Sequence, residues 1–329
     1  MMIKNKKNIF IGIIIFILLS TITLTLFIFS KKNVSNKEST AVVKNTLGYI
    51  SKTDKNSFYV LEKGTWNKMF IKGVNIGAGK PGAFPGDVAI TYDEYYRWFG
   101  YIANMNANTI RVYTIQRPQF YNALYDFNKK AEEAGKKPIY IFHGVWVNEN
   151  DIATINDVYG NNDKILKDVI KTGNETVDVL HGNAYIPVKK GYADGTYTSD
   201  VSKYVIGWIL GIEWDPAFVV SSNQNNPSRT NYNGKYLYTK GASPFEAFLC
   251  DIGDKVIEYE MTKYKMQRPV AFSNWVTTDP LKHPNEPYKN EDLVTVNVEH
   301  VKYHNTFKAG MFASYHEIGR ASCRERVFA

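Results

Sequence analysis

The sequence predicts an α/β fold, a (β/α)8 or TIM barrel of parallel strands, and three observations carry that prediction. From residue 58 to residue 316, apolar runs short enough for buried strands alternate with segments of helical period. Polar and aromatic side chains recur where those runs end, as in Glu213-Trp214-Asp215-Pro216 and Ser273-Asn274-Trp275. No dinucleotide-type loop follows the first run. Gly73-Val-Asn-Ile-Gly-Ala-Gly79 lacks the glycine spacing and the immediate helix, so no nucleotide cofactor is expected.

The elements follow in order. Phe58–Leu61 and Lys68–Ile76 read as strands, the first in a short leading hairpin. Tyr92–Asn104 is a helix with Tyr95, Trp98, Phe99 and Ile102 on one face. Thr109–Ile115 is a strand, and Pro118–Ala134 a helix stopped by Gly135. Pro138–Val147 is a strand and Asp163–Lys171 a helix, with a polar stretch over Tyr185–Tyr197. Tyr204–Glu213 is an apolar strand ended by a carboxylate, an indole and a proline. Pro244–Lys265 is a helix and Arg268–Trp275 a strand. Leu293–Glu299 and Met311–His316 complete the strand-like runs.

The two ends stand apart from this pattern. Residues 9–29 are almost wholly apolar, flanked by Lys4, Lys6 and Lys7 before and Lys31 and Lys32 after, which predicts a transmembrane helix. No small-residue cleavage site follows, so an uncleaved anchor is expected, with the main domain extracytoplasmic at the cell membrane. The expected organisation is residues 1–30 as cytoplasmic tip and anchor, 31–55 as polar linker, 56–316 as barrel and 317–329 as a non-native tail. Glu317–Val327 matches the translation of a common sequencing-library adapter. The barrel is therefore expected to be C-terminally truncated, with the natural chain continuing past His316.

Of the formal charge of +8, residues 1–38 carry +5 and residues 317–329 carry +1, leaving +2 for the body. The basic balance belongs to the membrane flank, and no nucleic-acid partner is expected. Of the two cysteines, Cys323 falls in the tail, so Cys250 has no internal bridging partner and reads as a small core residue.

Candidate chemistry sits at the strand ends. A glutamate emerging from an apolar run, such as Glu213, has its charged form disfavoured, which suits a general acid; the same residue can also cap a helix or meet a surface lysine. Arg111, flanked by apolar residues, calls for a carboxylate partner, either a catalytic one or a structural ion pair. His143 offers a ring donor or fills a core position. Trp146, Trp214 and Trp275 offer flat apolar faces for a sugar ring or for packing.

Phe70-Ile-Lys-Gly-Val-Asn-Ile76, then Asn108-Thr-Ile-Arg-Val-Tyr113, then a glutamate ending the fourth strand, resembles the clan of (β/α)8 retaining glycoside hydrolases that includes cellulases, mannanases and β-galactosidases. The first two motifs are also similar to fungal-type β-1,3-glucanosyltransferases of that clan. The resemblance covers residues 58–316. It implies Glu213 as acid/base and Arg111 as support for the nucleophile. It implies Tyr315 and His316 as lining of the sugar subsite. Asn75, Tyr113, His143, Trp146, Trp214, Asn274 and Trp275, read from their places at the strand ends, complete the expected substrate-binding set, and no metal or cofactor is expected. The nucleophile is then a glutamate ending the seventh strand, beyond His316. The chain departs from the clan at Ile212, where an asparagine usually precedes the acid/base and binds the sugar 2-hydroxyl. Glu299 and Glu149 are the substitute carboxylates within the chain, one on a strand-like run and one on a loop.

The function expected is a membrane-anchored extracytoplasmic glycoside hydrolase or transglycosylase acting on β-linked polysaccharide by retaining double displacement, the fragment itself being inactive. The alternative is a non-catalytic polysaccharide-binding module on a degenerate barrel.

Overall fold

The structure, a computed structural model, describes residues 48–316 apart from 286–288 and 291. The apolar run of residues 9–29, most of the linker and residues 317–329 lie outside the described residues. Among the described residues, 48–62 and 67–316 form the compact unit that carries the site.

Six strands make a curled parallel sheet: β4 (Gly73–Ile76), β5 (Thr109–Val112), β6 (Tyr140–Val145), β9 (Val205–Leu210), β11 (Val270–Trp275) and β13 (Ser314–His316). They lie side by side in chain order, each parallel to the next. Sequential parallel order is the signature of a singly wound β/α half-barrel rather than a doubly wound sheet, whose strand order reverses. Among the described residues six helices accompany it: α1 (Tyr92–Asn104), α2 (Pro118–Glu133), α3 (Glu149–Ile155), α4 (Gly160–Leu180), α5 (Pro216–Asn225) and α6 (Pro244–Tyr264).

Local chemistry sets the helix starts. Thr91 and Glu94 form a reciprocal capping box on α1, which Lys80 braces at 2.8 Å from the Glu94 carboxylate. Ser243 and Glu246 do the same for α6, and Pro244 occupies its first turn. Asp215 caps α5 through the Phe218 amide, so the cap after the fourth parallel strand is Asp215 and not Glu213.

The sheet has two faces with different neighbours. In one register layer, Val112, His143, Trp208 and Val270 align across four strands. His143 and Trp208 of that layer bond to Tyr121 of α2 and Glu260 of α6, so it is the helix-facing layer. On the inner face, Phe142, Ile206, Ile209 and Ala271 pack with Phe58 and Val60 of the leading strands β1 (Ser51–Asp54) and β2 (Ser57–Glu62). These two antiparallel strands plug one end of the half-barrel: the Ser51 hydroxyl donates to the Ile206 carbonyl at 2.8 Å, and the Thr53 amide to that of Ala309.

Four expectations are corrected. The run Lys68–Ile76 is two strands, β3 (Thr65–Met69) and β4, with a break between them. The helix expected over Asp163–Lys171 continues to Leu180, through Gly173, where Val256 of α6 packs so close that an added Cβ would collide with it. The polar stretch near Tyr185–Tyr197 is an antiparallel hairpin, β7 (Ala184–Ile186) and β8 (Gly195–Tyr197). Leu293–Glu299 is not a strand. Its polar groups turn to the start of α6, where Glu246 accepts from the Asn297 amide and bonds to His300 Nδ1, and a 3-10 turn spans Val298–His300. A short antiparallel pair, β10 (Leu237–Thr239) with β12 (Val301–Tyr303), lies in the connection instead of a further strand and helix.

Candidate active site

Three elements bring their ends together at the C-terminal side of the sheet. Arg111 is on β5, His316 ends β13, and Glu213 follows β9 after the turn at Gly211, whose φ is +88°. Arg111 Nη1 lies 2.6 Å from His316 Nε2, and His316 Nδ1 lies 2.8 Å from Glu213 Oε1. The other arm of the guanidinium, Nη2, donates to the Ser273 hydroxyl at 3.4 Å, which itself donates to the Gly211 carbonyl at 3.2 Å. Tyr113 covers the guanidinium, its ring centre 4.6 Å from Arg111 Cζ.

Arg111 is half-buried, and burial lowers its pKa while Tyr113 and Glu213 oppose that. Its Nε is buried without a hydrogen-bond partner. Among the described residues no carboxylate is in ion-pair contact with it. His316 is held below the ordinary imidazole pKa, first by burial and then by the neighbouring Arg111 charge, with Glu213 pulling the other way. The apolar enclosure expected around Glu213 ends at Ile212, since the Glu213 side chain is 48% exposed.

A cleft of about 1140 Å³ adjoins this cluster. Tyr113 and Trp146 stand edge to face between the two, with Tyr113 also edge-on to His316. The cleft continues over Asn148–Asp151 at the start of α3, along one side of α4, and under the β7–β8 hairpin. Its lining is mixed: Trp146, Tyr192 and Val188 are apolar, while Glu149, Asp168 and Lys189 are charged.

The structure thus brings Glu213, Arg111, His316, Tyr113 and Trp146 together. Asn75 is exposed on β4 in register with Arg111, on the same sheet face. Trp275 is half-buried, in register with His316, and its indole N–H donates to the Trp214 carbonyl at 2.9 Å. The remaining four are placed differently. His143 is fully buried on the helix side, bonded to the Tyr121 hydroxyl and the Gly144 carbonyl. Asn274 is fully buried, donating to the Val296 carbonyl and accepting from Thr278 and Trp275. Trp214 is fully buried among Phe218, Phe245 and Phe248. Tyr315 shares the register and face of Asn274, with 39% exposure at the sheet edge.

Of the substitute carboxylates, Glu299 sits exposed on the 3-10 turn and not at a strand end, while Glu149 lines the cleft. Sequence reasoning missed Ser273, which the period of two in Ser273-Asn274-Trp275 would have placed on the face opposite Asn274. It also missed the β7–β8 hairpin. Cys250 is free and buried, and burial pushes its thiol pKa up, away from nucleophilic use. Among the described residues no group of three or more His, Cys, Asp or Glu is arranged for a metal ion, and no helix is long and apolar enough to cross a membrane.

No protein-family model matches the chain, and no curated protein matches it in sequence. A crystal structure of an endo-laminarinase from Formosa Hel1_33_131 is similar with a TM-score of 0.41 and 10% sequence identity, over 75% of this chain. The chain spans about half the length of that structure, 49% of it.

Proposed function

We propose that the chain carries the acid/base half of a retaining glycoside hydrolase or transglycosylase that acts on β-linked polysaccharide. The observation behind this reading is the placement of Glu213. Its carboxylate stands at the C-terminal side of a parallel sheet, beside an aromatic-walled cleft, with an arginine on a nearby strand that has no carboxylate in contact among the described residues. In this reading Glu213 gives its proton to the glycosidic oxygen as the C1–O bond breaks, while a second carboxylate attacks C1 from the opposite face. Glu213 then takes a proton from the water, or from the acceptor sugar hydroxyl, that displaces the enzyme carboxylate. Retention requires the two carboxyls about 5–5.5 Å apart. The resemblance puts the second one at the end of the strand after β13, where Arg111 would hold it ionised. Tyr113, Trp146 and Trp275 supply ring faces for the sugar chain.

The apolar run of residues 9–29 supports a location outside the cytoplasmic membrane, with that run as the anchor. Alkaline extraction of membranes and protease accessibility of the intact cell test it. A protein released by alkali would remove the anchor.

Incubating the full-length protein with β-glucans and β-mannans, and following the first-formed anomer by proton NMR, tests the reaction. The β-anomer should appear first. First appearance of the α-anomer would rule out retention.

Ile212 favours a second reading. It is buried in the core, where the clan's asparagine would offer its amide to the sugar 2-hydroxyl. A binding module needs the aromatic walls but no acid/base. It predicts polysaccharide binding without bond cleavage, and binding that survives Glu213→Gln.

A further inference from the structure

We propose that His316 is a positioning residue for Glu213: its Nδ1–H holds Oε1 of the carboxylate, and Arg111 dictates that this nitrogen carries the proton. The use of the contact rests on the glycosidase reading above, whereas the contact itself rests on geometry alone.

The argument is one of donors and acceptors. A guanidinium has five N–H donors and no acceptor. Arg111 Nη1 at 2.6 Å from Nε2 therefore requires Nε2 to be the bare nitrogen of the ring. The proton of the neutral imidazole then sits on Nδ1, which is 2.8 Å from an acceptor-only carboxylate oxygen. An imidazolium would set an Nε2–H against an Arg111 N–H, so the arrangement holds the ring neutral. The burial of the ring and the Arg111 charge act in the same direction. Glu213 has no other hydrogen bond among the described residues. With Oε1 held, Oε2 is the oxygen free to carry a proton toward a ligand. The groups facing His316 are Arg111 from β5, Tyr113 just after it, and Glu213 from the turn after β9, while Ser273 on β11 anchors the far arm of Arg111. The partners of both ring nitrogens are thus protein groups, which leaves no nitrogen of His316 for a sugar hydroxyl.

Two substitutions separate this role from a sugar contact. An asparagine amide nitrogen takes nearly the place of imidazole Nδ1, and a glutamine amide that of Nε2. His316→Asn keeps a donor for Glu213, and His316→Gln does not. In the full-length protein, His316→Gln should lower kcat on glycosides with poor leaving groups by about 100-fold, and His316→Asn by less than about tenfold. Both should change little on activated aryl glycosides, which need scant acid help. Equal losses for the two variants, or a raised KM at unchanged kcat in both, would overturn the proposal.

The contact is read independently of turnover by 15N NMR of the imidazoles in the protein. His316 should show a protonated Nδ1 and a bare Nε2 at neutral pH, and Arg111→Met should abolish that preference. A protonated Nε2 in the unsubstituted protein, as a tautomer or an imidazolium, refutes the proposal. A protein that shows the expected tautomer yet cleaves no glycoside would leave the contact standing and remove the reading of function on which its use depends.

Discussion

His143 Nε2 lies 2.9 Å from the Tyr121 hydroxyl, inside the layer between sheet and helices. The Gln116 amide donates to the same hydroxyl at 3.2 Å, and His143 Nδ1 donates to the Gly144 carbonyl at 2.8 Å. The hydroxyl proton therefore points to Nε2, and the ring is neutral. Burial lowers its pKa from 6.5 to about 4; the Gly144 carbonyl opposes the shift and the Arg268 charge adds to it. The unfolded chain thus binds the extra proton first as pH falls. This site's effect on stability is level above pH 6.5, declines between pH 6.5 and about 4, and is level again below. The loss across that window is about 3 kcal/mol. Urea unfolding from pH 7 to 4 should show a shallower decline for His143→Gln than for the unsubstituted protein. Parallel curves would show that His143 is not the titrating group.

The inner plug makes a larger demand on packing. Phe142 meets Phe58 at 5.6 Å and Phe312 at 5.3 Å between ring centres, and its ring also fills the space over Gly207. Phe142→Ala should cost about 3–5 kcal/mol in chemical denaturation. A cost below about 1 kcal/mol would mean that the leading hairpin does not seal this end of the sheet.

Asp254 organises the connection that carries β10. Its Oδ1 accepts from the Tyr236 and Leu237 amides at 2.7 and 2.8 Å, and its Oδ2 from the Tyr232 hydroxyl at 3.0 Å. Gly234 lies directly over this carboxylate, and an added Cβ would collide with it. Asp254→Ala strands those donors and should cost about 1–3 kcal/mol. Gly234→Ala should open the same segment, seen as faster amide exchange at Tyr236 and Leu237. Unchanged exchange in both variants would argue that the loop holds itself.

Trp146 is 38% exposed at the mouth of the cleft, where its loss should affect ligand more than fold. Trp146→Ala should weaken polysaccharide binding, or raise KM, by about tenfold, the value of one aromatic platform at roughly 1.4 kcal/mol. Stability should move little. An unaltered affinity would exclude the Tyr113–Trp146 wall as a sugar path.

Much of the sheet was legible because buried parallel strands are continuous apolar runs bounded by turn signals, as in Val205–Leu210 and Val270–Trp275. The short strands β7, β8, β10 and β12 were not, since three residues give no period to count. Helix α4 was read short because glycine is a weak helix former, whereas Gly173 serves there as a packing surface for Val256. At the site, the strand ends were legible but their parity was not used. Arg111 and Tyr113 share one face, and Ser273 and Trp275 another equivalent one, while His143 and Asn274 fall on the helix side. Adjacent residues of a strand cannot both look into a cleft. The contact of His316 with Glu213 spans 103 residues of sequence and has no local signal at all.

The central claim is that Glu213 is the general acid, and its most direct test compares leaving groups. In the full-length protein, Glu213→Gln should lower kcat/KM about 100-fold or more on polysaccharide and on aryl glycosides with poor leaving groups. On aryl glycosides with strongly activated leaving groups, the first step should fall less than about tenfold. Equal, small losses on both kinds of substrate would contradict the account and leave Glu213 as a bystander to the cleft.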